Sequence, residues 1–251
     1  MTDDPEPARG LDRRAVLALG AVAGAVAVGA FAWPRLRPID YEPIDGLPGF
    51  RRVVGTSEVT TGTFATLGIG AADTEVTAAA QQAALSDILA DPMRALHGSP
   101  PYADTPIAFF TAGGCPLCAP QAERLAGLSP HLTLHPLALF GPESERAARA
   151  MIAAGPDAWP LHKRLVGTSF RTEDPFIRSV AEGTIGPERT ETLMADLDSP
   201  RVNAILARNQ ALTRQLGIVG TPATVIGRTL VVGTTSRATL ERILRDEVAR
   251  A

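Results

Sequence analysis

The chain has 251 residues, 45% hydrophobic and 20% charged, an ordinary globular composition with enough apolar material for a full core. Its formal net charge of −3 and pI of about 5.8 deny it the basic field that nucleic acid or an anionic surface attracts, so a nucleic-acid partner is set aside. With two cysteines and four methionines it is neither a disulfide scaffold nor a methionine-rich metal carrier.

The first 32 residues read as a targeting segment. Arg13-Arg14 precede Ala15 to Ala32, an Ala/Gly/Val-rich stretch without a charge, and Asp12-Arg13-Arg14-Ala15-Val16-Leu17 resembles a bacterial twin-arginine export signal. Ala30-Phe31-Ala32 offers a small-x-small cleavage site; uncleaved, residues 15–32 would be the chain's membrane contact as an anchor. A buried Ala-rich helix is the plain alternative. Export implies an oxidising compartment, the periplasm, where disulfides persist.

Residues 33–50, punctuated by Pro34, Pro38, Pro43 and Pro48, are expected to be an extended linker. Residues 51–100 form an N-terminal extension whose role stays open between tether, added core elements and dimerisation arm. Within it the alternation around Val59–Phe64 suggests a strand or two, and Asp73 to Leu96 a helix. Gly98-Ser99-Pro100-Pro101 then breaks the chain.

From residue 101 to 251 the pattern is clearer. Ile107–Phe110 is a short buried strand, 116–128 a helix and 132–139 a second strand. A helical region follows over about 143–216. Its last helix has Ser199 as N-cap, Pro200 at the first helical position and Gly217 beyond the end. Strands at 223–226 and 229–232 flank a Gly227-Arg228 turn, and Ser236 caps a final helix with Leu240, Ile243, Leu244 and Val248 on one face. This order is that of an α/β, thioredoxin-like fold with an inserted helical domain.

Both cysteines lie where the first strand of that domain hands over to its helix, as Gly113-Gly114-Cys115-Pro116-Leu117-Cys118. Two thiols three positions apart can close a reversible bond or grip a metal, whereas a structural disulfide there would enclose too small a loop to stabilise much. Thiolate is the attacking species in exchange. If Cys115 caps the helix, with Pro116 at its first position, unpaired N–H groups and the helix dipole favour the charged sulfur. Cys118, one turn in, is then the less exposed, resolving thiol. No Lys, Arg or His lies within the motif, so the helix terminus is the expected local source of activation. Pro120 is expected to cost this helix a hydrogen bond to the carbonyl of residue 116.

Spacing raises a rival, because Cys115-x2-Cys118-x12-His131-x3-His135 matches a Cys2His2 zinc finger. Pro130 and Pro136 flank the histidines, and His-Leu-Thr-Leu-His alternates like a strand, so both are expected to be ordinary strand residues. Gly68-Ile69-Gly70 reads as a turn, and Glu143, Glu145, Arg146 and Arg149 as a solvated helix face.

A second motif stands about 100 residues downstream, where Gly220-Thr221-Pro222 opens the strand Ala223-Thr224-Val225-Ile226, a place that suggests a cis peptide. A cysteine pair with proline second, a helical insertion, then Gly-Ile-Val-Gly-Thr-Pro-Ala-Thr-Val-Ile-Gly and a hairpin resembles the DsbA-like thiol:disulfide oxidoreductases of bacterial envelopes, over residues 104–250. The resemblance implies Cys115 as nucleophile, Cys118 as resolving cysteine and Pro222 as the cis-proline facing them, with Thr221, Pro116 and Leu117 meeting an extended substrate. It implies no cofactor and no metal, exported thiol or disulfide proteins as substrates, and a DsbB-like membrane partner for reoxidation. Two departures stand out: Leu117 occupies a position where strongly oxidising members often carry histidine, and the strand Ile-Ala-Phe-Phe-Thr lacks the buried acid of many relatives. The expected activity is disulfide formation; isomerase, reductase and Cu(I) metallochaperone are the alternatives.

Overall fold

The computed structural model describes residues 38–55, 58–59, 75–166 and 173–250. The export segment, Gly68–Gly70 and most of the Val59–Phe64 alternation lie outside them. Among the described residues no helix is long and apolar enough to cross a membrane.

Strands β1 (Tyr41–Pro43), β2 (Arg51–Val53), β3 (Ile107–Ala112), β4 (Leu132–Leu137), β5 (Ala223–Ile226) and β6 (Thr229–Val232) form one sheet in the order β1-β2-β6-β5-β3-β4. Every residue of β3 is buried, as an apolar run flanked by strands on both sides requires. It pairs in parallel with β4 and antiparallel with β5, Phe110 facing His135 and Ala223 respectively. Pro136 is tolerated because β4 is an outer strand.

Helices α1 (Glu75–Ala90) and α2 (Pro92–His97) precede β3, α3 (Cys118–Leu125) joins β3 to β4, and α9 (Arg237–Val248) closes the chain. The insertion comprises α4 (Pro142–Ala153), α5 (Ala158–Leu165), α6 (Asp174–Ile185), α7 (Pro187–Asp196) and α8 (Pro200–Leu216). Helix α8 ends as its sequence specifies: Ser199 accepts the Val202 N–H at 3.2 Å, and Gly217 adopts the left-handed conformation. The element order is that of the thioredoxin-like fold with a helical insertion.

The pleat divides the core into two faces. Phe110 stacks on His135 at 4.7 Å, and His135 is held by Asn209 of α8 and the Leu96 carbonyl of α2, so α2 and α8 cover that face. Phe109 and Thr111 point to the other, where α3 and α9 pack on β3 and β5 and where α5 meets them.

Three expectations change. Residues 40–50 are not a linker: β1 pairs with β2, β2 runs parallel to β6, and Ile44, Leu47 and Phe50 are buried. The prolines there shape a tight turn, while apolar residues at every third position turn inward. On α9 the inward face is Leu240, Ile243 and Glu247, while Val248 is 62% exposed. Arg146 and Arg149 do more than face solvent, since Arg146 bridges Asp174 and Asp198 at 2.7 Å and Arg149 donates to Asn203 at 2.6 Å, fastening α4 to α6 and α8.

Candidate active site

At the C-terminal end of β3 the chain turns through Gly113 and Gly114. A Cβ at Gly113 would lie 2.6 Å from the Ala147 Cβ of α4, so the insertion packs directly on this loop, and Gly114 has φ +80°. The Cys115 N–H donates to the Ala112 carbonyl at 3.3 Å and the Cys118 N–H to the Cys115 carbonyl at 3.2 Å, so two consecutive turns bring the cysteines together. Their sulfurs are joined in a disulfide. The sequence suggests a more exposed Cys115, yet in this oxidised form both cysteines are fully enclosed, while Pro116 is exposed and Leu117 half-buried.

Helix α3 begins at Cys118, with Leu117 as its cap residue, not at Cys115 or Pro116, and it ends at Leu125 rather than 128. Pro116 instead occupies the second position of the Cys115–Cys118 turn, which suits its fixed φ. The first i to i−4 bond runs from the Gln121 N–H to the Leu117 carbonyl. Cys115 therefore stands a turn ahead of the helix, and the dipole acts on it less directly than the sequence suggests. Pro120 falls in the first helical turn, where N–H groups have no intrahelical acceptor, so it costs no such bond.

The second motif arrives at the same end of the sheet. Because Ala223 faces Phe110, the residues preceding Ala223 lie alongside those following Phe110. The Thr221–Pro222 peptide is cis, and the Pro222 carbonyl accepts the Gly233 N–H at 2.7 Å. Thr221 is buried, its Oγ1 without a partner among the described residues. Val219, just before this loop, is a large apolar side chain left 66% exposed.

The histidines of the zinc pattern are committed elsewhere. His131 accepts the Ala103 N–H at 3.1 Å; His135 uses Nδ1 toward Asn209 at 2.9 Å and Nε2 toward the Leu96 carbonyl at 2.8 Å. Among the described residues no group of three His, Cys, Asp or Glu side chains is placed to hold a metal.

His162 is the residue that sequence reasoning missed. It is fully buried on α5, with Nε2 2.9 Å from the Thr111 hydroxyl, stacked on Trp159 at 5.5 Å and meeting the Phe109 ring edgewise at 5.7 Å. Burial, with a smaller contribution from Lys163, pushes its pKa down to about 4. A lone histidine 51 residues from its partner leaves no sequence signal. Gln121 of α3 is a second, its Oε1 accepting the Thr235 N–H at 3.0 Å.

The profile of the DSBA-like thioredoxin domain matches residues 120–245, half of the chain, beginning just after Cys118. No curated protein matches. Among solved structures, a thioredoxin-like oxidoreductase from Silicibacter pomeroyi DSS-3 is 28% identical, with a TM-score of 0.55, over 63% of this chain and 98% of that one. The catalytic domain of Proteus mirabilis ScsC is 27% identical, with a TM-score of 0.53, over 67% and 98%. The thiol-disulfide exchange protein alpha-DsbA2 of Wolbachia pipientis shares the fold at 18% identity, with a TM-score of 0.54, over 67% and 98%.

Proposed function

The chain belongs to the DsbA-like thioredoxin-domain family of thiol-disulfide oxidoreductases, and from that premise we propose that it forms disulfides in exported proteins through Cys115 and Cys118. The observation that carries this reading is the convergence of the oxidised pair and the cis Thr221–Pro222 peptide on one end of the sheet.

The steps follow from thiol chemistry. A substrate thiolate attacks the Cys115 sulfur, the Cys115–Cys118 bond breaks, and Cys118 leaves as a thiolate. A second substrate thiolate then attacks its own sulfur in the mixed disulfide, releasing the reduced enzyme and the oxidised substrate. Cys118 is the resolving thiol in the reverse direction. In this reading Pro222 faces the pair, Thr221 offers backbone to an extended substrate segment, and Pro116, Leu117 and Val219 supply apolar side chains for it to meet. Reoxidation by a DsbB-like membrane partner completes the cycle, and the Arg13-Arg14 segment supports a periplasmic setting.

The reduction potential of the pair in a glutathione buffer tests the direction. A value well above the approximately −270 mV of thioredoxin, together with oxidation of a reduced unfolded substrate, supports disulfide formation. A value near thioredoxin's overturns it in favour of a reductase.

A further inference from the structure

Opening the disulfide moves charge onto a buried sulfur. A substrate thiolate bonds to Cys115, and the electron pair of the Cys115–Cys118 bond leaves on Cys118, whose side chain is fully enclosed at the first position of α3. Charge in such a place needs hydrogen-bond donors. The helix terminus has few to give: among its first four N–H groups, that of Cys118 closes the turn to the Cys115 carbonyl, Pro120 has none, and that of Gln121 is spent on the Leu117 carbonyl.

The next donor along the helix is a side chain. Gln121 lies on the same inward stripe of α3 as Cys118, Ala122 and Leu125, and both Gln121 and Cys118 are fully buried. Helical residues three apart hold their Cβ atoms about 5–6 Å from each other, and a helical side chain leans back over the turn that precedes it. The Cys118 sulfur is therefore within reach of the Gln121 amide.

That amide is anchored by its oxygen. The Thr235 N–H at 3.0 Å and the Arg124 Nη1 at 3.2 Å both donate to Oε1, which identifies the other end as the NH2 group. The anchor belongs to the active-site end of the sheet, since Gly233 of the same loop donates to the Pro222 carbonyl at 2.7 Å. Nε2 is left buried without a partner among the described residues. A buried donor without an acceptor is costly, and a disulfide sulfur is too weak an acceptor to satisfy it, whereas a thiolate makes a charge-assisted bond.

We propose that Gln121 is the donor to the leaving sulfur, its Nε2–H idle beside the disulfide and bonded to the Cys118 thiolate once Cys115–Cys118 opens. The proposal rests on the exchange reading above. The step balances without a proton: the substrate thiolate loses its charge on forming an S–S bond to Cys115, the Cys115–Cys118 bond breaks, and Cys118 carries the charge away. Gln121 shares its hydrogen with that sulfur and does not give it up. Arg124, donating to Oε1, draws electron density from the amide and sharpens the donor.

The full chain carrying Cys115→Ser tests this, because Cys118 is then its one thiol and ultraviolet absorbance titrates that thiolate alone. Adding Gln121→Met should raise the Cys118 midpoint by about one pH unit, a tenfold loss of thiolate. In Cys115→Ser itself, the Gln121 side-chain amide signal in heteronuclear NMR should move downfield through the same titration. That signal is assigned by its loss in Gln121→Met or, should that variant not fold, in Gln121→Glu, which keeps an oxygen for Thr235. An amide that stays put through the titration, or a Gln121→Met that loses thermal stability while the Cys118 midpoint holds, overturns the proposal and leaves Gln121 as an anchor for Thr235. Exchange of the unaltered chain with a dithiol peptide separates the two ideas: exchange alongside an unmoved amide sinks the donor alone, and absent exchange sinks the functional reading.

Discussion

The two ends of the β5–β6 hairpin differ in whether they bury a charge. At the Gly227 turn, Glu247 is 7% exposed and saturated: Arg51, Arg250, the Thr229 hydroxyl and the Arg228 N–H all donate to it, at 2.6 to 3.0 Å. Arg51 also lies 3.6 Å from the Tyr41 ring, whose hydroxyl donates to Asp246, so this network fastens β1 and β2 to α9. At the Pro222 end, Oγ1 of Thr221 and Thr224, Nε2 of Gln121 and Nδ1 of His162 are buried without partners among the described residues. A buried carboxylate must be paired to be tolerated, so the charged end is rigid. Neutral polar atoms are tolerated unpaired at both ends, His97 Nδ1 beside the Gly227 turn among them.

The contrast can be broken from either side. Cys115→Ser should reduce exchange with a dithiol peptide to background and leave the thermal midpoint within a few degrees of that of the reduced protein. Glu247→Ala should do the reverse, lowering the unfolding free energy by about 3–5 kcal/mol because Arg51 loses its buried partner, while exchange per folded molecule is retained; urea unfolding and a peptide assay read the two.

Acid should weaken both ends, in separate windows. Burial pushes His97 and His162 down to about 4, against an unfolded value near 6.5. The unfolded chain therefore binds protons first: stability is full above about pH 6.5 and is lost as pH falls toward 4, by up to about 3 kcal/mol per histidine. Burial alone would raise the Glu247 pKa, but hydrogen bonds from Thr229, Arg228 and Arg250 hold it below the usual carboxylate range. Its contribution is present above the unfolded value of about 4.5 and goes only as pH falls through the lower folded one. Unfolding free energies of the oxidised protein between pH 7 and 3 should show the histidine loss first, and His97→Gln should remove part of it.

The smallest effect expected is at the caps. Ser199→Ala and Ser236→Ala each lose a side-chain bond to a helix N-terminus, at Val202 and Thr239, and should cost about 1 kcal/mol without touching exchange.

What could be read from the chain was what rests on local chemistry. The boundaries of α8, the β5–β6 hairpin and the cis Thr221–Pro222 peptide are signalled by caps, turn residues and a proline opening a strand. The start of α3 was misplaced because Pro116 suits a turn as well as a first helical position, and hydrogen-bond geometry chooses between them. Residues 40–50 looked like a linker because a three-residue strand has too little sequence to show alternation, and its partners lie far along the chain.

The sequence by itself determined the family and the pair of sulfurs, since CxxC and Gly-Thr-Pro each carry their geometry in a few adjacent residues. Only the tertiary structure decided which groups distant in the chain meet. His162 reaches Thr111 because the inserted helices fold α5 back onto β3, and Glu247 turns inward because Arg51, 196 positions away, is there to neutralise it. Burial and electrostatic pairing are properties of neighbours in space, which linear order does not record.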